Sequence, residues 1–249
     1  MDKKHWIFIS PHFDDVALSC GGLVWDLARQ GHIVEVWTIM GGFPADENYS
    51  EFAQQNHLTW GMSGEAAIRM RRAEDHAACE ILGAQHQHFD WPDVIYRHDP
   101  DSGDAMVHNN EELFGKPPEP WLVEAVSAML KDKVPENANL VLPIGLGGHI
   151  DHRTVVRAGE RCKKEKRYYA DYPYILNDFT NPVINEGKYR KIQYCLDKAA
   201  LDAWQRSVLS YTSQLSTFWR NDTESRLAIN NYLAGGGGCL WGFKITRFH

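Results

Sequence analysis

The sequence predicts an α/β fold: one mainly parallel sheet with helices on both faces, built as a single domain over residues 1–249. Three observations carry this reading. Strand-length apolar runs alternate with segments of helical periodicity through residues 5–164. At 43% hydrophobic and 24% charged residues, the 249-residue chain has an ordinary globular composition and enough length to bury a core without disulfides. Histidine–aspartate clusters follow directly on two of the strand runs, where open α/β sheets hold their ligands.

"HWIFIS" (5–10) is an apolar run that stops at Pro11, and it reads as the first strand. Residues 16–31 place Val16, Leu23, Val24 and Leu27 at helical spacing and close on Gly31 as a C-terminal cap. "HIVEVWTIM" (32–40) is β-branched and forms a second strand, and residues 64–83 form a long helix closed by Gly83. A weaker strand covers 86–91, a helix 121–132, a strand 139–145 and a helix 152–164. This β-α-β rhythm makes the first 165 residues a Rossmann-like core. Residues 166–249 are less regular: strands are expected at 167–175 and 191–196, and helices at 198–209 and 223–233. Residues 41–63, 92–118 and the glycine run at 234–243 read as long loops.

The formal net charge of -7 and the even spread of Lys and Arg argue against a nucleic-acid partner. The single basic cluster, "RCKKEKR" (161–167), reads as a solvated helix end. Five scattered cysteines without a CxxC pair give neither a zinc ribbon nor a disulfide framework, and they fit a reducing cytoplasm. The apolar stretch near the N-terminus is too short for a secretory signal, and no window reaches the roughly 20 apolar residues of a membrane span. A cytoplasmic protein without a membrane partner is the expectation, with homo-oligomerisation left open.

The chemistry concentrates in two stretches. "PHFDD" (11–15) puts His12, Asp14 and Asp15 after the first strand, and "GHIDHR" (148–153) puts His149, Asp151 and His152 after the strand at 139–145. One aspartate at a helix start is ordinarily an N-cap, and one histidine at a strand end is ordinarily a satisfied surface group. Two such clusters at corresponding strand ends instead supply the neutral imidazoles and carboxylates of a catalytic zinc site. Bound zinc lowers the pKa of water to roughly 7, and a spare carboxylate can then take its proton.

"SPHFDDVALSCGG" together with "GHIDH" resembles the PIG-L/LmbE family of zinc-dependent N-acetylglucosamine deacetylases, and "RRAEDHAACEILGA" (71–84) is similar to that family's R-x-x-E helix. The resemblance covers residues 5–165. It implies one zinc per chain on His12, Asp15 and His152, with Asp14 as general base. His149 would stabilise the oxyanion or protonate the leaving amine, and Asp151 would orient His149. Arg71 and Asp93 would contact substrate, and Glu74 would position Arg71 or its helix. Phe13 and Val16 depart from the common PHPDDE pattern; Phe13 is expected to add apolar bulk near the metal.

The expected activity is hydrolysis of an N-acyl group, most simply acetyl, from a small amino sugar or its conjugate. Alternatives are the same metal chemistry on another amide or ester, or a non-catalytic Mg²⁺-binding signalling or sugar-binding module.

Overall fold

The computed structural model describes residues 2–177 and 189–243. Five parallel strands form the centre of one sheet: β1 (His5–Ser10), β2 (Ile33–Thr38), β3 (Gln85–His88), β4 (Ala138–Pro143) and β5 (Lys166–Tyr169). β6 (Tyr189–Ile192) and β7 (Leu240–Phe243) complete it, with β7 antiparallel to both β5 and β6. The strand order is β3-β2-β1-β4-β5-β7-β6. The order therefore reverses between β1 and β4, and a crevice opens there beyond the strands' C-terminal ends.

Each central strand is apolar on both faces because helices cover both. On β1, Ile7 and Ile9 face the core shared with α5 (Pro120–Lys133) and α6 (Ile150–Glu160), whereas Trp6 and Phe8 face α1 (Asp15–Arg29) and α3 (Gly64–Leu82). β4 repeats the alternation, with Leu140 and Leu142 on the first side and Val141 on the second.

Two of the expected loops contain helices. Residues 41–63 hold α2 (Glu51–Trp60), which Ser50 caps and Gly61 ends in left-handed geometry; residues 92–118 hold α4 (Asn110–Gly115), capped by Asn109. Both are short and polar, so neither shows an apolar stripe. The strand expected at 86–91 is shorter, and the one at 167–175 ends at Tyr169, because Asp171 and Pro173 turn the chain away. The glycine run does not stay a loop. It turns at Gly236 and Gly238 and enters β7, whose Leu240 sits in the core.

The remaining helices, α7 (Lys198–Leu209), α8 (Thr212–Phe218) and α9 (Asp222–Ala234), pack against the α1 side around Trp204. Trp204 is fully buried, and its indole N–H donates to Ala17 O over 2.6 Å. That close approach explains the paired glycines of α1: a Cβ on Gly22 would lie 2.8 Å from the Trp204 ring. No helix among the described residues is long and apolar enough to cross a membrane.

Gly22→Ala should therefore overpack this contact and lower stability by about 1–3 kcal/mol in urea unfolding. An unchanged midpoint would mean that α1 and α7 are free to separate.

Candidate metal centre

β1 ends at Ser10, and Pro11, which has no N–H, breaks the ladder so that residues 12–14 can turn into the crevice. The turn is fixed locally: Ser10 Oγ donates to His12 O (2.5 Å), and the His12 N–H donates to Asp15 Oδ2 (2.7 Å). Asp14 occupies the N-cap position of α1 but makes no side-chain capping bond. The first of the adjacent acids is thus left free of the helix.

The second cluster is set by the glycine turn after β4, where Gly145, Gly147 and Gly148 all have positive φ (83°, 73° and 81°). α6 then begins at Ile150 with His149 as its N-cap; His149 Nδ1 accepts from the Asp151 N–H at 3.2 Å. A neutral His149 therefore carries its proton on Nε2. The structure brings the two clusters together. Asp15 Oδ2 lies 3.5 Å from His12 Nδ1, and Asp15 Oδ1 lies 3.3 Å from His152 Nε2.

The outer nitrogen of each of these imidazoles meets a carboxylate. His152 Nδ1 contacts Asp171 Oδ1 at 2.7 Å, while Asp171 Oδ2 accepts the Gly145 and Leu146 N–H groups (2.8 and 3.2 Å). His12 Nε2 contacts Asp151 Oδ2 at 3.1 Å. The nitrogens facing Asp15 are thus left for a ligand, the pattern by which carboxylates orient metal-binding histidines. Asp15 thus faces one nitrogen of each imidazole, through a different carboxylate oxygen in each case.

Two other triads, His12, His149 and His152, and His12, Asp93 and Asp151, are the ones that place their donor atoms within 4.8 Å of one another among the described residues. The first would use a His149 whose Nδ1 is already occupied. The second would set a cation beside Arg97, whose Nη2 donates to Asp151 Oδ1 at 2.7 Å.

Asp151 is wholly buried, and its carboxylate accepts from Arg97 and from the Val94 N–H (3.0 Å) as well as facing His12. The expectation that Asp151 orients His149 is corrected: its carboxylate holds His12, and only its backbone N–H reaches His149. Arg97 in turn makes a two-pronged pair with Glu119 (2.8 and 3.0 Å). Burial favours a protonated Asp151, but Arg97 and His12 outweigh it and hold the carboxyl well below the usual range.

The other shifts follow the same neighbours. Burial raises the pKa of Asp14, and the charge of Asp15 raises it further. Asp15 goes the other way: burial is overcome by His152 and His12, and its pKa falls. Burial keeps His149 neutral, with His12 and His152 adding to the effect. For His12 and His152 burial is outweighed by surrounding carboxylates, and both pKa values rise.

These groups line a pocket of about 130 Å³ together with Arg71, Trp60, Tyr172, Tyr174, Gln214 and Phe218. The larger concavity, about 860 Å³ beside Lys131 and Lys164, opens near the starts of β4 and β5 and holds none of this chemistry. Arg71 is buried over the Phe13 and Trp60 rings (5.4 and 5.5 Å), 3.7 Å from Asp14, and its Nε has no partner among the described residues. Phe13 is 1% exposed and packs in the core beneath Arg71 and against His88. Asp93 lines the pocket while its Oδ1 accepts the Ile95 N–H (3.2 Å). Glu74 does not touch Arg71 through any hydrogen bond; it binds Thr212 and Ser213 at the start of α8.

Sequence reasoning missed Asp171, Arg97 and Glu119. Asp171 was recoverable, because it is a third acid placed just past a strand end. Arg97 and Glu119 carry no such mark.

Residues 7–163 match the family model described as PIG-L, GlcNAc-PI de-N-acetylase. The 2'-N-acetylparomamine deacetylase of Niallia circulans is 28% identical over 256 residues, spanning 92% of this chain and 87% of that protein. The zinc-inhibited form of a teicoplanin deacetylase superposes with a TM-score of 0.79 at 26% identity, covering 99% of this chain and 100% of the other. An A40926 pseudoaglycone deacetylase gives 0.72 at 26% identity over 100% of both chains.

Two outcomes test the centre. Asp171→Asn should weaken metal binding about 10- to 100-fold in a chelator competition while the fold survives. Arg97→Met should cost about 3–5 kcal/mol, because it leaves Asp151 buried and unpaired. A depressed carboxylate stabilises above its unfolded pKa of 3.8 and loses that stability as pH falls. Without Arg97 the acid limb of the metal-free protein should therefore move to higher pH, and an unmoved limb would remove Arg97 as the counter-charge.

Proposed function

Because the chain belongs to the PIG-L family, we propose that it is a metal-dependent N-deacetylase that hydrolyses the N-acetyl group of an amino-sugar conjugate. The observation that carries this reading is the pairing of His12 and His152, each backed by a carboxylate, around Asp15. The donor set fits zinc, one ion per chain, on His12, Asp15 and His152. Held by these residues, zinc would supply a water of pKa roughly 7 and Lewis-acid polarisation of the acyl carbonyl.

The rest of the reaction belongs to the chain's own groups. Asp14, uncommitted to the helix and with a raised pKa, is suited to take a proton from the attacking water and return it to the leaving amine. His149, neutral with its proton on Nε2, is suited to donate to the carbonyl oxygen as negative charge develops there. Arg71 presents buried donors to the substrate beside Asp14, and Asp93 offers a carboxylate on the same pocket wall. The deacetylase relatives, which by name act on an acetylparomamine and on teicoplanin, support an amino-sugar conjugate as the substrate class. The imidazoles beside both acids speak against a phospho-acceptor pocket.

Asp14→Asn should keep one zinc per chain by elemental analysis while acetate release falls about 100- to 10,000-fold. His152→Ala should lose the metal itself. Normal turnover in Asp14→Asn would exclude Asp14 as the base.

A further inference from the structure

β3 is the outer strand of the sheet, and strand alternation puts its His86 and His88 on one face. α3 covers that face. His88 Nε2 contacts the buried Asp75 at 2.7 Å, and the ring of His76, the next residue of α3, has its centroid 4.8 Å from that of His86. The His86 and His88 centroids are 4.9 Å apart. Three imidazoles from two elements thus gather at the sheet edge, and none of them lines the pocket around Asp14.

The three rings are committed differently. His88 serves the interior, through an Asp75 that also accepts from Tyr211 OH (2.7 Å). His76 and His86 are both exposed, and their Nδ1 atoms face each other at 3.5 Å, a long separation for an N–H donor and its acceptor. On its other side His76 Nε2 faces Glu80 at 3.5 Å. A carboxylate there favours the proton on Nε2 and turns the Nδ1 lone pair towards His86. Partial burial, and then the charges of His88 and His76, lower the pKa of His86, so its ring is neutral at pH 7. Two neutral imidazole nitrogens therefore meet across a gap shorter than twice the roughly 2.0–2.1 Å of a zinc–imidazole bond, so one ion can touch both. Glu80 adds a negative charge beside them. Imidazole donors suit zinc, copper and nickel, whereas magnesium and calcium take oxygen ligands.

We infer that His76 and His86 form a second metal site, separate from the centre around Asp15, which takes a zinc-class divalent ion reversibly with water completing its coordination. The site ties α3 to the edge strand, so an ion there binds the folded chain only. It needs neither the deacetylase reading nor any group of the first centre. In equilibrium dialysis against excess zinc at pH 7, the wild-type chain should hold one ion more than His76→Ala or His86→Ala. The same excess of zinc should raise the unfolding midpoint of the wild type further than that of either variant. Both side chains are exposed, and His76→Gln and His86→Gln should repeat the loss, which separates it from a folding defect. An equal concentration of magnesium should not displace the extra ion. An equal zinc count in the wild type and either alanine variant, or displacement by magnesium, would overturn the second site.

Discussion

The carboxylate of Asp151 is the point on which the site depends. It has no exposure, yet it remains ionised because Arg97, the Val94 N–H and His12 surround it. Those partners come from two parts of the chain, the turn after β1 and the segment beyond β3, and they meet Asp151 at the start of α6. An isolated buried charge would cost several kcal/mol, so the carboxylate is tolerable only when all of them are in place. Glu119 at the start of α5 balances Arg97, which extends the same demand to the helix that packs beside α6. Satisfying one buried charge therefore aligns the strand ends and sets the ring of His12.

The sheet makes that convergence cheap. Parallel strands deliver successive loops to the same edge, and the reversal between β1 and β4 parts the neighbouring helices there. His12 follows β1, His149 and His152 follow β4, and Asp171 follows β5, so three adjacent strands each contribute a group. None needs a long loop to reach the centre. Their positions are inherited from strand register, which is stiffer than loop structure.

This also explains what could be read from the sequence. The alternation of strands and helices was legible because each central strand is apolar on both faces and each covering helix shows a buried stripe. Likewise His12, Asp14, Asp15 and His152 were legible because charged residues at the end of an apolar run are conspicuous. By contrast α2 and α4 were not, since they are short, polar and fixed by the caps Ser50 and Asn109 rather than by periodicity. Arg97 sits in a polar stretch where nothing local marks it as buried. The role of Phe13 could not be read at all, because the Arg71 guanidinium it supports lies more than fifty positions away in sequence.

Asp14 and Asp15 show how adjacent identical residues acquire different chemistry. Successive positions at a helix start project about 100° apart, so the two carboxylates cannot meet the same neighbours. Asp15 faces His12 and His152, and their positive charge keeps it ionised. Asp14 faces the pocket, with Arg71 at 3.7 Å, too far for a hydrogen bond, and with the charge of Asp15 beside it. The ligand-like acid thus raises the proton affinity of its neighbour. The two carboxylates diverge because Asp15 meets two imidazoles that Asp14, buried beside it, does not share equally. Burial raises the proton affinity of Asp14, and the charge of Asp15 beside it raises it further, while Asp15 itself is held below the usual carboxylate range by His152 and His12.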